Sequence, residues 1–121
     1  MQSAAQAYGT VAKQIANPRE LEADLLLKAA ARLQAIRDAW DRAKPDLDEA
    51  LLYNRKLWSI FLTSVTNPEH PLPVAVRQNI ANLGLFVMKQ TVAMMTNPRR
   101  EQLESLIGIN RELAAGLLGR A

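Results

Sequence analysis

The sequence contains no cysteine and only one histidine, His70, and these absences remove most of the common catalytic chemistry. Without cysteine there is no disulfide, no thiolate zinc site and no thiol nucleophile. One histidine cannot supply a metal site that needs two imidazoles, and we expect its ring, in Pro68-Glu69-His70-Pro71, to be solvated rather than part of a Ser/His/Asp triad. The five glycines are isolated, so there is no phosphate-binding loop. We therefore expect no metal, no cofactor and no enzymatic activity.

Long apolar runs are also missing from the chain. The longest one, counting glycine, is Leu83 to Met88, far below the about 20 residues that a membrane-spanning helix needs. Met1 to Ala7 has neither the basic region nor the apolar core of a secretory signal. With 49% apolar and 22% charged residues, the composition is that of a folded globular chain. We expect a single domain, residues 1–121, in the cytoplasm and without membrane insertion.

Acidic residues are scarce in the middle of the chain. Residues 50–100 hold six basic side chains against one acid, Glu69, whereas residues 1–49 hold seven basic and eight acidic ones. The basic residues could attract an acidic partner. Because they are spread out and form no run, they are only a weak sign of RNA or DNA binding, and direct nucleic-acid binding is not expected.

Prolines and apolar spacing together predict helices. Asn is a preferred N-cap and Pro fits the first helical position, so the pairs Asn17-Pro18 and Asn97-Pro98 indicate helix starts. Apolar residues recur at steps of three and four, which places them on one helix face, and no stretch alternates with period two. We predict an all-α fold, a compact bundle of about five helices: a first segment from Ala4 to Ile15, then 18–43, 46–66, 74–96 and 98–118, with an extended connection over 67–73. Segments 46–66 and 74–96 are predicted to form an antiparallel central pair, because a short connection favours antiparallel neighbours.

Two features allow both a core and a binding interpretation. Asn54 interrupts the apolar stripe of segment 46–66, and it is either a satisfied core amide or an amide in a groove where a partner helix docks. Trp58 and Phe61, on the same helix, favour a core position. Segment 74–95 is apolar on more than one face, which is typical of a central helix or of one that a partner covers, and we favour the central helix.

Two strings of residues suggest a family. They are Pro18-Arg19-Glu20-Leu21-Glu22-Ala23 and Asn54-Arg55-Lys56-Leu57-Trp58, accompanied by Ala7-Tyr8, Asn67-Pro68, Leu72-Pro73 and the segment from Arg77 to Leu83 that leads to Phe86-Val87. With these marks the chain resembles the FlaF family of alphaproteobacterial flagellar biosynthesis regulators over nearly its whole length.

The resemblance implies a small helical cytosolic protein that binds flagellin as an export and assembly chaperone and supports flagellin production. Flagellin termini are amphipathic helices that stay unpaired until assembly, so the expected binding mode is a helix in a groove. The alternative is a post-transcriptional regulator that acts with FlbT on flagellin messenger RNA. A third interpretation is a structural adaptor to FlbT.

We place the expected flagellin-binding surface on the two central segments. Its residues are Asn54, Arg55, Lys56, Trp58, Phe61, Arg77, Asn79 and Ile80. Interface energy usually concentrates in a few Trp, Tyr and Arg side chains. Arg55→Ala and Arg77→Ala are therefore expected to weaken binding without changing the thermal melt. The alternative location is the last segment, where Leu113→Asp would abolish binding.

Overall fold

The computed structural model describes residues 18–119, and all regular structure in that part of the chain is helical. Its elements are α1 (Pro18–Asp38), the single turn α2 (Trp40–Ala43), a 3-10 turn (Lys44–Asp46), α3 (Leu47–Val65), α4 (Val74–Thr96), a second 3-10 turn (Arg100–Gln102) and α5 (Leu103–Leu117). The predicted all-α class is confirmed, and so are four of the predicted helical segments. The first predicted segment, together with Asn17, lies outside the described residues.

Prolines and acids set two helix starts close to their predicted positions. α4 begins at Val74, directly after Pro73, whose extended backbone (φ −57°, ψ 150°) closes the connection. α3 begins at Leu47 after a 3-10 turn, and Asp48 and Glu49 lie in its first turn, where the helix dipole favours negative charge. Residues 67–73 join the two helices without a helix, as predicted, but the connection is not extended. The backbone N–H of His70 donates to the carbonyl of Asn67 and closes a turn there.

The last helix begins later than predicted. Asn97 does not cap it: the backbone N–H of Asn97 donates to the carbonyl of Ala93 and so ends α4. Arg99 is extended, a 3-10 turn follows, and α5 starts only at Leu103. Asn is common just after a helix as well as just before one, so an Asn-Pro pair alone cannot distinguish the two.

The helices pack as two main pairs. α1 and α5 form the most extensive contact, and α3 with α4 forms the second. Small side chains allow the first pair to approach closely, since Ala23, Ala30 and Ala114 are fully buried. α3 and α4 run antiparallel, as predicted, because Gly84 lies against Leu62 while a later α3 residue, Val65, accepts a hydrogen bond from the earlier Arg77. α1 also packs on α3, so the core lies between these four helices.

α4 is buried along one stripe only, and the interpretation of segment 74–95 as a helix covered on nearly all faces is wrong. The buried residues are Ile80, Gly84, Val87, Thr91 and Met94. Of the eleven large hydrophobic side chains exposed within residues 18–119, seven lie on α4: Val74, Val76, Leu83, Leu85, Phe86, Val92 and Met95. α4 contacts α5 at few points, so both flanks of its buried stripe reach solvent.

Candidate partner-binding surface

The predicted site separates into core residues and surface residues. Asn54 and Trp58 are fully buried, and Phe61 and Ile80 are each only 5% exposed. A side chain in the core cannot contact a partner unless its helix moves, so the placement of these four residues on a docking surface is wrong. They lie on the stripes of α3 and α4 that face the other helices. The spacing of residues along one helix does not reveal whether that stripe packs in the core or binds a partner.

Of the two interpretations of Asn54, the core amide is the correct one. Its Oδ1 accepts a hydrogen bond from Asn110 Nδ2 at 2.7 Å. The Oδ1 of Asn110 in turn accepts one from the indole Nε1 of Trp58 at 2.9 Å, and Asn110 Nδ2 also lies 3.4 Å from the carbonyl of Leu26. The two amides and the indole therefore join α3, α5 and α1 inside the core. Asn54 Nδ2 is buried without a hydrogen-bond partner among the described residues.

Asn110 is a polar core residue that the sequence analysis missed, and so is Thr91. Asn110 lies on the apolar stripe of α5, three residues after Ile107 and four before Ala114, both of which are buried. An amide that interrupts an apolar stripe is the same signal that singles out Asn54. A search for both interruptions would have predicted a pair of facing core amides.

The remaining members of the predicted site are three exposed residues and one half-buried residue. Arg55, Lys56 and Asn79 are exposed. Arg77 is half-buried, and its guanidinium donates to three backbone carbonyls, those of Leu72 (3.1 Å), Asn67 (3.2 Å) and Val65 (3.3 Å).

Through these bonds Arg77 ties the end of α3 and the following turn to the start of α4. In contrast to the expectation from the sequence, Arg77→Ala is therefore expected to lower the melting temperature, because the substitution would leave carbonyls at a helix end without their donor. Partner contacts by Arg55, Lys56 and Asn79 stay a prediction.

A hollow of about 300 Å³ separates α4 from α5. Its apolar lining consists of Leu72, Val76, Ile80, Leu83, Leu113 and Leu117, and Arg19, Asn79 and Glu112 lie at its border. The structure thus brings Asn79 together with α5 rather than with Arg55 and Lys56 on α3. Leu113, the residue of the alternative location, lines the same hollow.

Basic side chains outnumber acidic ones on α3 and α4 by four to two, and both acids lie in the first turn of α3. After Glu49 neither helix carries an acid, whereas α3 carries Arg55 and Lys56 and α4 carries Arg77 and Lys89. Because Arg77 is engaged with carbonyls, the charges available to a partner on these helices are Arg55, Lys56 and Lys89. A partner with acidic side chains would be attracted to this pair of helices.

His70 lies in the turn between α3 and α4, and its ring is partly buried and partly open to solvent. Its Nδ1 accepts a hydrogen bond from the backbone N–H of Leu72 at 3.2 Å. Burial, followed by the nearby guanidinium groups of Arg77 and Arg19, lowers the pKa of His70 below its ordinary value of 6.5. The ring is thus a neutral acceptor that orders the turn. Residues 18–119 contain no group of three or more His, Asp or Glu side chains that could hold a metal ion.

Comparison with known proteins identifies the family. The family model of the flagellar protein FlaF matches residues 4–117. The chain belongs to the FlaF family. No curated protein and no solved structure matches it. Within residues 18–119 of this FlaF-family chain, no helix is both long enough and apolar enough to cross a bilayer.

In this FlaF-family chain the string from Asn54 to Trp58 contributes residues to both the buried side and the exposed side of α3. Asn54, Leu57 and Trp58 are buried, and Arg55 and Lys56 between them are exposed. The string that helped to indicate the family therefore combines a core amide and an indole with two surface cations.

Proposed function

We propose that this FlaF-family protein is a binding protein without enzymatic activity, that it binds flagellin in the cytosol as an export and assembly chaperone, and that it thereby supports flagellin production. The observation that carries the proposal is the apolar surface of α4, which the other described helices cover along a single stripe. Membership of a flagellar family points to a flagellar partner for that surface. An amphipathic terminal helix of flagellin, unpaired before assembly, has the complementary apolar face.

The exposure of α4 is too extensive to be incidental. Val74 is 71% exposed and Leu85 60%, and both lie on one continuous helix with five further exposed large hydrophobic side chains. Scattered single hydrophobic residues are normal on a protein surface, but a contiguous apolar patch marks an interaction site. Burying such a patch against another helix is favourable because it removes apolar area from water.

The alternative function, regulation of flagellin messenger RNA together with FlbT, relies on the basic side chains of residues 50–100. Two of the six are occupied within the protein: Arg77 holds carbonyls of the α3–α4 turn, and Arg100 Nε donates to the carbonyl of Arg37 at 2.9 Å. The others are divided between α3, α4 and the segment before α5. This distribution suits attraction of an acidic protein surface better than close contact with a phosphate backbone.

Co-purification at two salt concentrations tests the proposal. The tagged full chain is mixed with full-length flagellin, and in parallel with flagellin messenger RNA, at about 0.1 M and about 1 M salt. The flagellin complex is expected to survive the higher salt, because apolar docking does not depend on charge, whereas phosphate-driven binding weakens steeply.

Tight and salt-sensitive RNA binding without a flagellin complex would reverse the order of the two functions. Binding to FlbT alone, with neither flagellin nor RNA retained, would instead identify an adaptor. FlbT is therefore included as a third ligand in the same experiment.

A further inference from the structure

The side of α4 that faces away from α5 carries an apolar stripe with the spacing of a coiled coil. Its residues follow one another at steps of seven, four, three, four and three, and they are Val74, Ala81, Leu85, Met88, Val92 and Met95. Alternating steps of three and four correspond to the a and d positions of a heptad, which face one partner helix. We call these six residues the outer stripe.

Four residues of the outer stripe are exposed, whereas Ala81 and Met88 are partly buried against the core. Leu85 is 60% exposed, Val92 58% and Met95 38%, and Val74 is the most exposed of the set at 71%. At about 100° of rotation per residue, the outer stripe lies about a quarter-turn of the helix away from the buried stripe of Ile80 and Val87. α4 therefore presents one apolar face to the core and a second one to solvent.

α3 extends this second face. In the antiparallel register set by Gly84 against Leu62 and by Arg77 beside Val65, Leu52 lies level with Val92 and Lys56 lies level with Lys89. Leu52 is 46% exposed. The two helices together form a shallow trough with apolar side chains from both.

The charges beside most of the outer stripe are basic. Lys89 on α4 and Lys56 on α3 lie on the trough, and neither helix carries an acid after Glu49. Asp48 and Glu49 lie in the first turn of α3, level with the last turn of α4 and beyond most of the stripe. A helix in the trough would thus have cations along both of its flanks.

We propose that the outer stripe binds a partner helix with apolar side chains at a and d positions and acidic side chains at the flanking positions. This inference rests on the proposed function and deepens it, because it specifies the kind of helix that the flagellin-binding surface takes. The acidic flanks follow from Lys56 and Lys89, as charged e and g positions set partner choice in paired helices.

Two other occupants fit the charges less well. A second copy of the chain, paired through the same face, would bring Lys89 and Lys56 of one copy close to the like charges of the other. The first 17 residues of the chain contain Lys13 and no acid. The hollow between α4 and α5 favours neither acidic nor basic side chains in a partner helix, because its border carries both Arg19 and Glu112.

The test uses the full chain and two synthetic helices about three heptads long, both with Leu at a and d. One peptide carries Glu at e and g, and the matched peptide carries Lys there. By fluorescence anisotropy the Glu peptide is expected to bind at least about tenfold more tightly than the Lys peptide.

Variants of the chain then locate the site. The double variant Leu85→Gln/Val92→Gln is expected to weaken binding of the Glu peptide at least about tenfold, because it removes the centre of the stripe. Ile60→Gln is the matched control, since Ile60 is 54% exposed but borders a hollow on the α1 side of α3 with Leu25 and Leu57. This control is expected to bind as the parent chain does. Both variants change exposed side chains, and their thermal melts verify that they are folded.

Several outcomes would overturn the inference. They are equal affinity for the two peptides, unchanged binding by the double variant, or loss of binding through Leu83→Gln/Leu113→Gln in the hollow instead. A dimer in sedimentation that the double variant abolishes would identify a second copy as the occupant. Tighter peptide binding by Val11→Asp/Ile15→Asp would identify the chain's own first residues.

Full-length flagellin, measured with the same variants, separates this inference from the proposed function. If the Glu peptide binds as expected but flagellin does not bind the parent chain, only the flagellin proposal fails. If flagellin binds the parent chain and the double variant equally well, the flagellin proposal stands and the outer stripe is not its site.

Discussion

Asn110 holds three partners at once in the core: the indole of Trp58, the amide oxygen of Asn54 and the carbonyl of Leu26. Asn110→Leu removes all three and leaves the Trp58 N–H and the Asn54 oxygen buried without partners. Each such group costs about 1–3 kcal/mol, so the free energy of unfolding should fall by about 3 kcal/mol. Urea unfolding measures this change.

Asn54→Leu is the matched comparison for Asn110→Leu. It removes Asn54 Nδ2, which already lacks a partner, and it leaves Asn110 with Trp58 and Leu26. The expected loss in the free energy of unfolding is therefore smaller, about 1 kcal/mol. Equal losses in the two variants would show that Asn110 is not the centre of the network.

His70 makes the stability of the turn between α3 and α4 depend on pH. Because the folded state lowers the pKa of His70 below 6.5, the unfolded chain binds a proton more readily than the folded one. The contribution of the neutral ring is fully present above pH 6.5 and is lost as the pH falls through the lowered folded pKa. The melting temperature should therefore decrease between about pH 7.5 and about pH 5.

His70→Asn is the control for this pH dependence, since the amide oxygen of Asn can replace Nδ1 as the acceptor for Leu72 but does not titrate. The decrease should be smaller in His70→Asn than in the parent chain. Burial raises the pKa of Glu22, so that carboxyl favours the folded state at lower pH and opposes the effect of His70. It does so equally in both proteins. Parallel melting curves for the two across this pH range would contradict the role of His70.

At the scale of elements, Gly84 sets the closest approach between α3 and α4. A Cβ at this position would lie 2.5 Å from Cδ2 and 2.8 Å from Cγ of Leu62, well inside van der Waals contact. Overpacking of this kind costs about 1–3 kcal/mol, against a gain of about 1 kcal/mol from the better helix propensity of Ala. Gly84→Ala is therefore expected to lower the denaturation midpoint.

Gly108→Ala in α5 is the control, because its Cβ would meet nothing within 4 Å, and it should stabilise the protein by up to about 1 kcal/mol. A double-mutant cycle identifies the cause of the effect at Gly84. In a Leu62→Ala background, Gly84→Ala should be neutral or stabilising. A loss of the same size in both backgrounds would mean that Leu62 is not responsible.

Local signals predict the elements better than they predict what each face contacts. The bounds of segment 74–96 follow from Pro73 and the pair Asn97-Pro98, and the structure has the same bounds. In α1, steps of four place Leu21 and Leu25 on one face with the buried Ala29, yet these two leucines are only half-buried, whereas Ala23 and Leu26 are fully buried. The difference arises because α5 packs closely over the small Ala side chains, and composition along one helix does not contain that information.

The candidate site shows the same limit. The sequence identifies Asn54 as unusual, but only the position of Asn110 on a helix distant in sequence decides that it is a core amide. Likewise, three carbonyls from the end of α3 and the following turn decide that Arg77 is a structural residue. The exposure of α4 depends on how few contacts it makes with α5, which no local pattern encodes.

At the scale of the whole molecule, the first and last described helices are each other's main partners. Two contacts join them across long stretches of sequence: Asn110 to the carbonyl of Leu26, and Arg37 to Glu104. Arg100, in the 3-10 turn before α5, donates to the carbonyl of Arg37. The hairpin of α3 and α4, by contrast, is formed by neighbouring segments. The core around α1 is therefore complete only with α5 in place.

Ending the chain at Arg99 tests this dependence, since it removes α5 and leaves α1 without its largest partner. Most helix stability in proteins comes from the packing of an apolar face, so α1 should lose its helix together with α5. The helical signal in circular dichroism should fall by more than the share of the 15 residues of α5. In a Trp40→Phe background, where Trp58 is the remaining tryptophan, the fluorescence should shift as the indole loses Asn110 and becomes solvated. A chain that ends at Gly119 is the control and should melt like the full one. If the shortened chain loses only the share of α5 and still unfolds cooperatively, α1, α3 and α4 form a stable unit without α5.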